Sequence, residues 1–226
     1  MTTILITGAG RGIGLALAKE ALARGWRVFG SVRGEAEARE LEQKFGANFR
    51  ALIFDVTDAA AVADAAAAFD EPIDILINNA GVIGPDRQSA LDMDFDGLRL
   101  TLEVNTLAPL RVTQAFLPHL KRSKNPRVLT ISSNMGSLSY ASSDHLAYRI
   151  SKAAVNKAMQ GLASDLKPQG VALAVLHPGW VRTDMGGAGA DISPQVSAKG
   201  MLDVAQGLTL ANTGQFLNFD GKTRPW

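Results

Sequence analysis

Apolar positions change their period repeatedly along this chain. Thr3-Ile4-Leu5-Ile6 is a short continuous apolar run, and Ile13, Leu15, Leu17, Ala18 and Leu22 then follow at helical spacing. Between them stands Thr7-Gly8-Ala9-Gly10-Arg11-Gly12-Ile13-Gly14, so the order is strand, glycine turn, helix. The alternation continues. Residues 27–32 read as a strand, 35–45 as a charged amphipathic helix, and 49–54 as a strand. An alanine-rich helix capped by Thr57 or Asp58 runs to about Phe69, and a strand at 73–77 leads into Asn78-Asn79-Ala80-Gly81. Residues 82–96 are loop-like, and a long helix is predicted over 97–120. A strand at 127–131, a helix at 145–166 and a strand at 171–176 follow. Ser193-Pro194 opens a last helix and 215–219 forms a last strand. Most strands are unbroken apolar runs, which suits burial on both faces. The pattern predicts one α/β domain over 1–226, a doubly wound parallel β-sheet with helices on both faces.

Such sheets bind ligands beyond the carboxyl ends of their strands, where strand order reverses. Gly8 to Gly14, Arg33, Asp55, Asn78 to Gly81, Ser132, Ser133 and Pro178 to Thr183 all follow strand ends, so residues scattered in sequence gather on one rim. The glycine stretch is built to cradle phosphate. Glycine lets the backbone take positive φ and approach a ligand closely, and the next helix offers free N–H groups and the positive end of its dipole. Its spacing is G-x-x-x-G-x-G, not G-x-G-x-x-G, and on its own it also fits a glycine turn in another α/β protein.

Composition narrows the classes. With 46% hydrophobic and 20% charged residues the chain can bury a large core. A formal net charge of +1 without a basic block gives no footprint for nucleic acid. There is no cysteine, hence no disulfide and no thiolate nucleophile or ligand. The first strand starts within three residues of the N-terminus and no apolar run reaches membrane-span length, so the expectation is a cytoplasmic protein with no membrane partner. His119, His145 and His177 have no partners at ligand spacing, and no metal site is assigned.

Tyr148 and Lys152 lie one helical turn apart on one face. A neighbouring ammonium favours phenolate, so the expectation is a lowered tyrosine pKa and a proton shuttle near neutrality. An ordinary surface tyrosine with a lysine one turn away satisfies the same spacing. Position at the rim is what gives the pair weight.

Thr7 to Gly14, Asn78-Asn79-Ala80-Gly81, Asn105, Ile131-Ser132-Ser133, Tyr148 with Lys152, and Pro178-Gly179 with Val181 and Thr183 together resemble the short-chain dehydrogenase/reductases in order and rough spacing. The resemblance covers nearly the whole chain. Tyr-Arg-x-Ser-Lys at 148–152, the run His177 to Met185 and the end Asp220 to Trp226 look like the C-factor-like and carbonyl reductase branch. From Ser133 to Tyr148 is 148 − 133 = 15 positions, slightly longer than in common members, which enlarges the loop beside the substrate site.

The resemblance implies a Rossmann domain and a hydride-transferring oxidoreductase acting on a small or medium carbonyl or alcohol. Tyr148 would be the acid/base, Lys152 would lower its pKa and bond the nicotinamide ribose, and Ser133 would hold the substrate oxygen. Asn105 would hold a water that extends the proton path from Lys152. Gly8, Gly10, Arg11, Gly12, Ile13 and Gly14 would take the pyrophosphate end of the cofactor. Asp55 and Val56 would take the adenine, Asn79, Ala80 and Gly81 the adenosine ribose, and Pro178, Gly179, Val181 and Thr183 the carboxamide. Val32 stands where an NAD-specific carboxylate would be, with Arg33 and Arg11 nearby, so NADP(H) is expected in preference to NAD(H). Ser133, Met135, Tyr148, Trp180 and Met185 are the candidate substrate contacts. The alternative is an NADP(H)-binding signalling or sensor protein of the C-factor type with little turnover. A nucleotide-sugar epimerase shares the Tyr and Lys but would want another glycine spacing and a longer chain. Surplus apolar residues on the helices at 97–120 and 145–166 suggest a homodimer or homotetramer.

Overall fold

The computed structural model describes residues 1–139 and 141–226. Seven strands form one parallel sheet: β1 (Thr3–Ile6), β2 (Arg27–Val32), β3 (Phe49–Ile53), β4 (Ile75–Asn78), β5 (Arg127–Ile131), β6 (Ala172–His177) and β7 (Gln215–Asn218), in the order 3-2-1-4-5-6-7. β1 pairs in parallel with both β2 and β4, so strand order reverses between β1 and β4. The crevice for a ligand opens there.

Alternation along each strand divides the core into two layers. Ile4, Ile6, Ile75 and Ile77 face α1 (Gly12–Ala23), α2 (Glu35–Phe45) and α7 (Pro194–Gly207), where Leu17, Leu41 and Met201 complete the layer. Leu5, Leu76 and Val128 face the other way. They meet Val62 of α3 (Ala59–Ala67), Phe116 of α5 (Ala108–Leu120) and Met159 of α6 (Leu146–Leu166). The doubly wound sheet with helices on both faces is therefore as the apolar pattern predicts. Asp58 Oδ1 caps α3 by accepting from the N–H groups of Ala60 and Ala61, both at 3.0 Å, and Ser193 caps α7.

The structure corrects three expectations. Residues 82–96 are not all loop: Gln88–Ser89 and Asp92–Met93 pair as a small antiparallel hairpin. The helix predicted over 97–120 is interrupted. α4 (Phe95–Leu102) gives way to a π turn over Glu103–Leu107 before α5 begins. Pro109 supplies the reason, because it has no N–H to donate to the carbonyl of Asn105 four residues earlier, and the ladder widens instead. Ala108 N–H accordingly reaches the carbonyl of Glu103, five residues back. Strands β4 and β6 start one or two residues later than the apolar runs do. Ile73 N–H donates to the His119 carbonyl in the last turn of α5, not to a strand.

Candidate active site

The glycine loop leaves β1 with Gly8 at φ +67° and Gly12 at φ +56°, a region in which L side chains are strained. Gly14 has no room for a side chain: a Cβ there would lie 2.0 Å from the Gly8 carbonyl oxygen and 2.6 Å from Asn79 Nδ2. The first N–H groups of α1 have no side-chain cap, and its first turn carries no acidic residue. Free donors in a first turn without acidic residues fit a phosphate or pyrophosphate group, while the Glu37 carboxylate of α2 lies against Gly10, 1.8 Å from where a Cβ would be.

The loop is braced from both neighbouring strands. Thr7 Oγ1 accepts from the N–H groups of Asn79 at 2.9 Å and Ala80 at 3.1 Å, and Asn79 Nδ2 donates to the carbonyls of Thr7 at 2.9 Å and Gly8 at 3.2 Å. From β2, Ser31 Oγ accepts the Gly8 N–H at 3.0 Å. Ser31 carries no functional signal in sequence, because any hydroxyl in a strand looks alike until the partner strand is placed. Asn78 ties β4 to its neighbours by donating to Thr113 Oγ1 at 2.9 Å and Thr130 Oγ1 at 3.4 Å. Its Oδ1 is buried without a partner among the described residues, and the residue lines a narrow crevice with Thr7, Val56, Ala80 and Val104.

Charged groups ring the loop. Arg11 pairs with Asp184 at 2.9 Å, both side chains being exposed, and Arg33 is exposed just beyond β2 while Val32 is buried. Asp55 does not cap α3. Its Oδ1 accepts from Thr57 N–H at 2.8 Å and Thr57 Oγ1 at 2.7 Å, and these bonds, with Arg33 nearby, hold its pKa below the usual carboxylate range. A cavity of about 290 Å³ opens on the flank of α1 between Leu15, Lys19, Arg182 and Gln195. It meets the glycine loop at Gly12 and Thr183.

Across the rim, α6 brings Tyr148 and Lys152 together with Ser133. Tyr148 is 8% and Lys152 4% exposed, so this is no surface pair. The ammonium does not dominate the phenol as expected. Burial pushes Tyr148 up to about 12, opposed by a hydrogen bond with Ser133, and burial also brings Lys152 down to about 8. Lys152 Nζ donates to the Ile131 carbonyl at 2.9 Å and stands 5.5 Å from the Tyr148 ring centroid. Two groups that are both costly to charge thus sit side by side, the phenol held protonated and the amine near its titration point.

Ser133 caps a short turn, Asn134–Gly136, and its Oγ accepts the Met135 N–H at 3.1 Å. Ser132 is its structural neighbour, donating to Asn156 Oδ1 at 2.6 Å. The Asn105 side chain is fully engaged within the protein. Oδ1 accepts from Val82 N–H at 2.9 Å, and Nδ2 donates to the Val82 carbonyl at 2.8 Å and Ser151 Oγ at 2.9 Å. Gln88 is a further residue without sequence signal: its Oε1 accepts the Tyr148 N–H at 3.2 Å, satisfying a first-turn donor of α6.

The segment after β6 carries Pro178, Gly179 at φ +85°, Val181 and Thr183 over the glycine loop, with Thr183 3.6 Å from where a Gly12 Cβ would lie. Trp180 and Met185 are exposed on it. Trp180 Nε1 donates to the Gly186 carbonyl at 2.8 Å, which folds this segment into a small flap. His145 begins α6 at φ 49° and pairs with Asp144 at the surface. Among the described residues no group of His, Cys, Asp and Glu is placed to hold a metal.

A parallel doubly wound sheet with an uncapped glycine loop at its switch point and a Ser, Tyr and Lys cluster across the rim defines a dinucleotide-binding α/β protein of the oxidoreductase kind. Comparison with known proteins gives the family. The short chain dehydrogenase model matches residues 2–191, and the chain belongs to the short-chain dehydrogenase/reductases. It is 46% identical over 158 residues to C-signal of Myxococcus xanthus, spanning 69% of this chain and 93% of that one. It superposes on the NADPH-bound carbonyl reductase from chicken fatty liver with a TM-score of 0.91, 33% identity and coverage of 100% and 99%. Carbonyl reductase Sniffer of D. melanogaster matches at TM-score 0.93 and 32% identity, with both chains covered completely. The chain thus falls in the C-factor-like and carbonyl reductase branch of an oxidoreductase family.

Proposed function

We propose that the protein is an NADP(H)-dependent reductase of small or medium carbonyl compounds, and that Tyr148 is its acid/base. The observation that carries this reading is the buried convergence of Ser133, Tyr148 and Lys152 on the rim that also bears the glycine loop. NADPH in the similar chicken enzyme supports the choice of cofactor. Gly8 to Gly14 would hold the pyrophosphate, Asp55, Val56, Asn79, Ala80 and Gly81 the adenosine, Arg11 and Arg33 the 2′-phosphate, and Pro178, Gly179, Val181 and Thr183 the carboxamide.

A bound nicotinamide supplies the hydride; the chain manages the proton. Ser133 Oγ hydrogen-bonds the carbonyl oxygen, where negative charge develops, and Tyr148 Oη donates the proton to it. Because burial keeps Tyr148 protonated, it is set as an acid for reduction. Lys152 stabilises the phenolate left behind and bonds the ribose. The water expected at Asn105 would rest on its main-chain carbonyl, which Pro109 leaves without an α-helical donor, since the side chain is engaged elsewhere. Met135, Trp180 and Met185 would wall the substrate.

A second reading, signalling with little turnover, is favoured by the similarity to C-signal. One experiment separates them. Fluorescence titration with NADPH and NADH is followed by oxidation of NADPH against a panel of aldehydes and ketones, with Tyr148→Phe as control. Turnover that the variant loses establishes the reductase, binding without turnover favours the signalling reading, and binding of neither cofactor removes both. Phe95 and Leu100, 64% and 58% exposed on α4, support self-association, which sedimentation of the purified protein would read directly.

A further inference from the structure

Residues 222–226 return from β7 across the end of the sheet. Thr223 bridges antiparallel to Leu217, Arg224 N–H donates to the Phe216 carbonyl at 2.8 Å, and Trp226 stacks on Phe216 with ring centroids 5.6 Å apart. These contacts fix the path of the segment.

Two further contacts run from it to the turn that follows Ser133. Arg224 Nη2 donates to Asn134 Oδ1, and Ser137 Oγ donates to the Trp226 carbonyl at 3.0 Å. Among the described residues Arg224 Nε is buried without a partner, and the bond to Asn134 is the side-chain contact that orients the guanidinium there. On its main-chain side, Asn134 donates its N–H to His177 Nδ1 at 3.1 Å. Burial and the neighbouring Arg224 hold His177 down at about 4, which leaves that nitrogen free to accept at neutral pH. Asn134 is therefore gripped at both main chain and side chain, directly after Ser133. On the inner side the same turn rests on α6, where a Cβ on Gly136 would lie 2.7 Å from the Lys152 carbonyl carbon.

We infer that Arg224 is a positioning residue of this site: through Asn134 it fixes the turn that aims Ser133 Oγ at Tyr148 and at the substrate oxygen. The inference rests on the roles proposed above for Ser133 and Tyr148. Release of Arg224 leaves the turn held by the main-chain bond to His177 and by Trp226, so the fold persists while Ser133 gains rotational freedom. Misplacement of a reacting group by about 1 Å costs up to about 100-fold in rate, and a loosened rather than lost contact should cost about tenfold.

The test is steady-state kinetics and NADPH fluorescence titration on Arg224→Met, Arg224→Lys and Asn134→Ala. Arg224→Met should lower kcat about tenfold while the Kd for NADPH stays within about twofold, and Arg224→Lys, which keeps a donor and the charge, should recover much of the loss. Asn134→Ala should show the same fall, and the double variant should be no worse than either single one, since both remove one contact. An unchanged kcat in Arg224→Met, or equal losses in kcat and in NADPH affinity, overturns the inference and leaves the proposed function standing. If Arg224→Met does not fold, Asn134→Ala decides alone. If the wild-type protein turns over no carbonyl compound, the roles of Ser133 and Tyr148 fall, and this inference falls with them.

Discussion

Replacing Lys152 with Met should make the protein more stable and less active, by an amount that depends on pH in a defined way. Lys152 is held at about 8 by burial, against 10.5 for a free lysine. A shift of about 2.5 units corresponds to about 3 kcal/mol, the cost of keeping that ammonium charged inside the folded protein at pH 7. Methionine has similar length and no charge, so it removes this cost. It also strips the Ile131 carbonyl of its donor, which returns about 1–3 kcal/mol. A net gain of about 1 kcal/mol at pH 7 is the expectation.

The pH dependence is the sharper reading. Between about 8 and 10.5 the folded wild type carries a neutral Lys152 while the unfolded chain carries a charged one, so the unfolded state binds more protons and stability rises with pH. Lys152→Met lacks that rise. Its advantage over wild type should be largest below pH 8 and should shrink, then reverse, towards pH 10. Urea unfolding of both proteins at pH 6.5, 8 and 9.5, compared as differences, cancels the groups they share. A difference that does not vary with pH refutes the placement of a desolvated ammonium beside Tyr148. Activity should fall at every pH, as expected of a residue retained for function at the expense of stability.

Other perturbations test other parts of the molecule. Gly14→Ala should cost at least about 1–3 kcal/mol and abolish NADPH binding, because its Cβ meets backbone that cannot yield; thermal melting and fluorescence titration read both. Arg33→Ala should raise the Kd for NADPH about tenfold with little effect on NADH, and equal effects on both would refute its assignment to the 2′-phosphate. Asp58→Ala should destabilise by about 1 kcal/mol without touching activity, since the side chain caps α3 at the surface. Carbonyl reduction should lose rate above about pH 8 as Lys152 becomes neutral, whereas an alkaline limb near 12 would assign control to Tyr148 alone.

Much of this architecture was legible in the residues themselves. β1, the glycine turn and α1 could be read because an apolar run, a cluster of glycines and a 3.6-residue period follow one another without ambiguity. The rim could be read because a parallel sheet sends every strand's carboxyl end the same way. What could not be read depends on distance in space. The hairpin at Gln88 and Asp92 has two-residue arms, too short for any period, and Gln88 meets Tyr148 only once the fold brings α6 beside it. The π turn leaves one trace, Pro109, which a helical pattern absorbs as a simple kink. The Tyr148 pKa moves up rather than down, because spacing shows that Lys152 is near but not that both groups are buried. That the Asn105 side chain is taken up by Val82 and Ser151 is invisible in sequence, because the fold alone brings those segments beside it.

The braces of the glycine loop also set an order of assembly. Thr7, Ser31 and Asn79 all lie within the first 79 residues, and of the strands that carry or adjoin them, β2 and β4 flank β1 on either side. A chain emerging from the ribosome therefore holds every strand of its nucleotide cradle well before Ser133 is made, and the grip of Arg224 on Asn134 can close only 90 residues after Asn134 itself has appeared. A nascent chain can complete the glycine loop and its braces first and acquire the Ser133, Tyr148 and Lys152 cluster last.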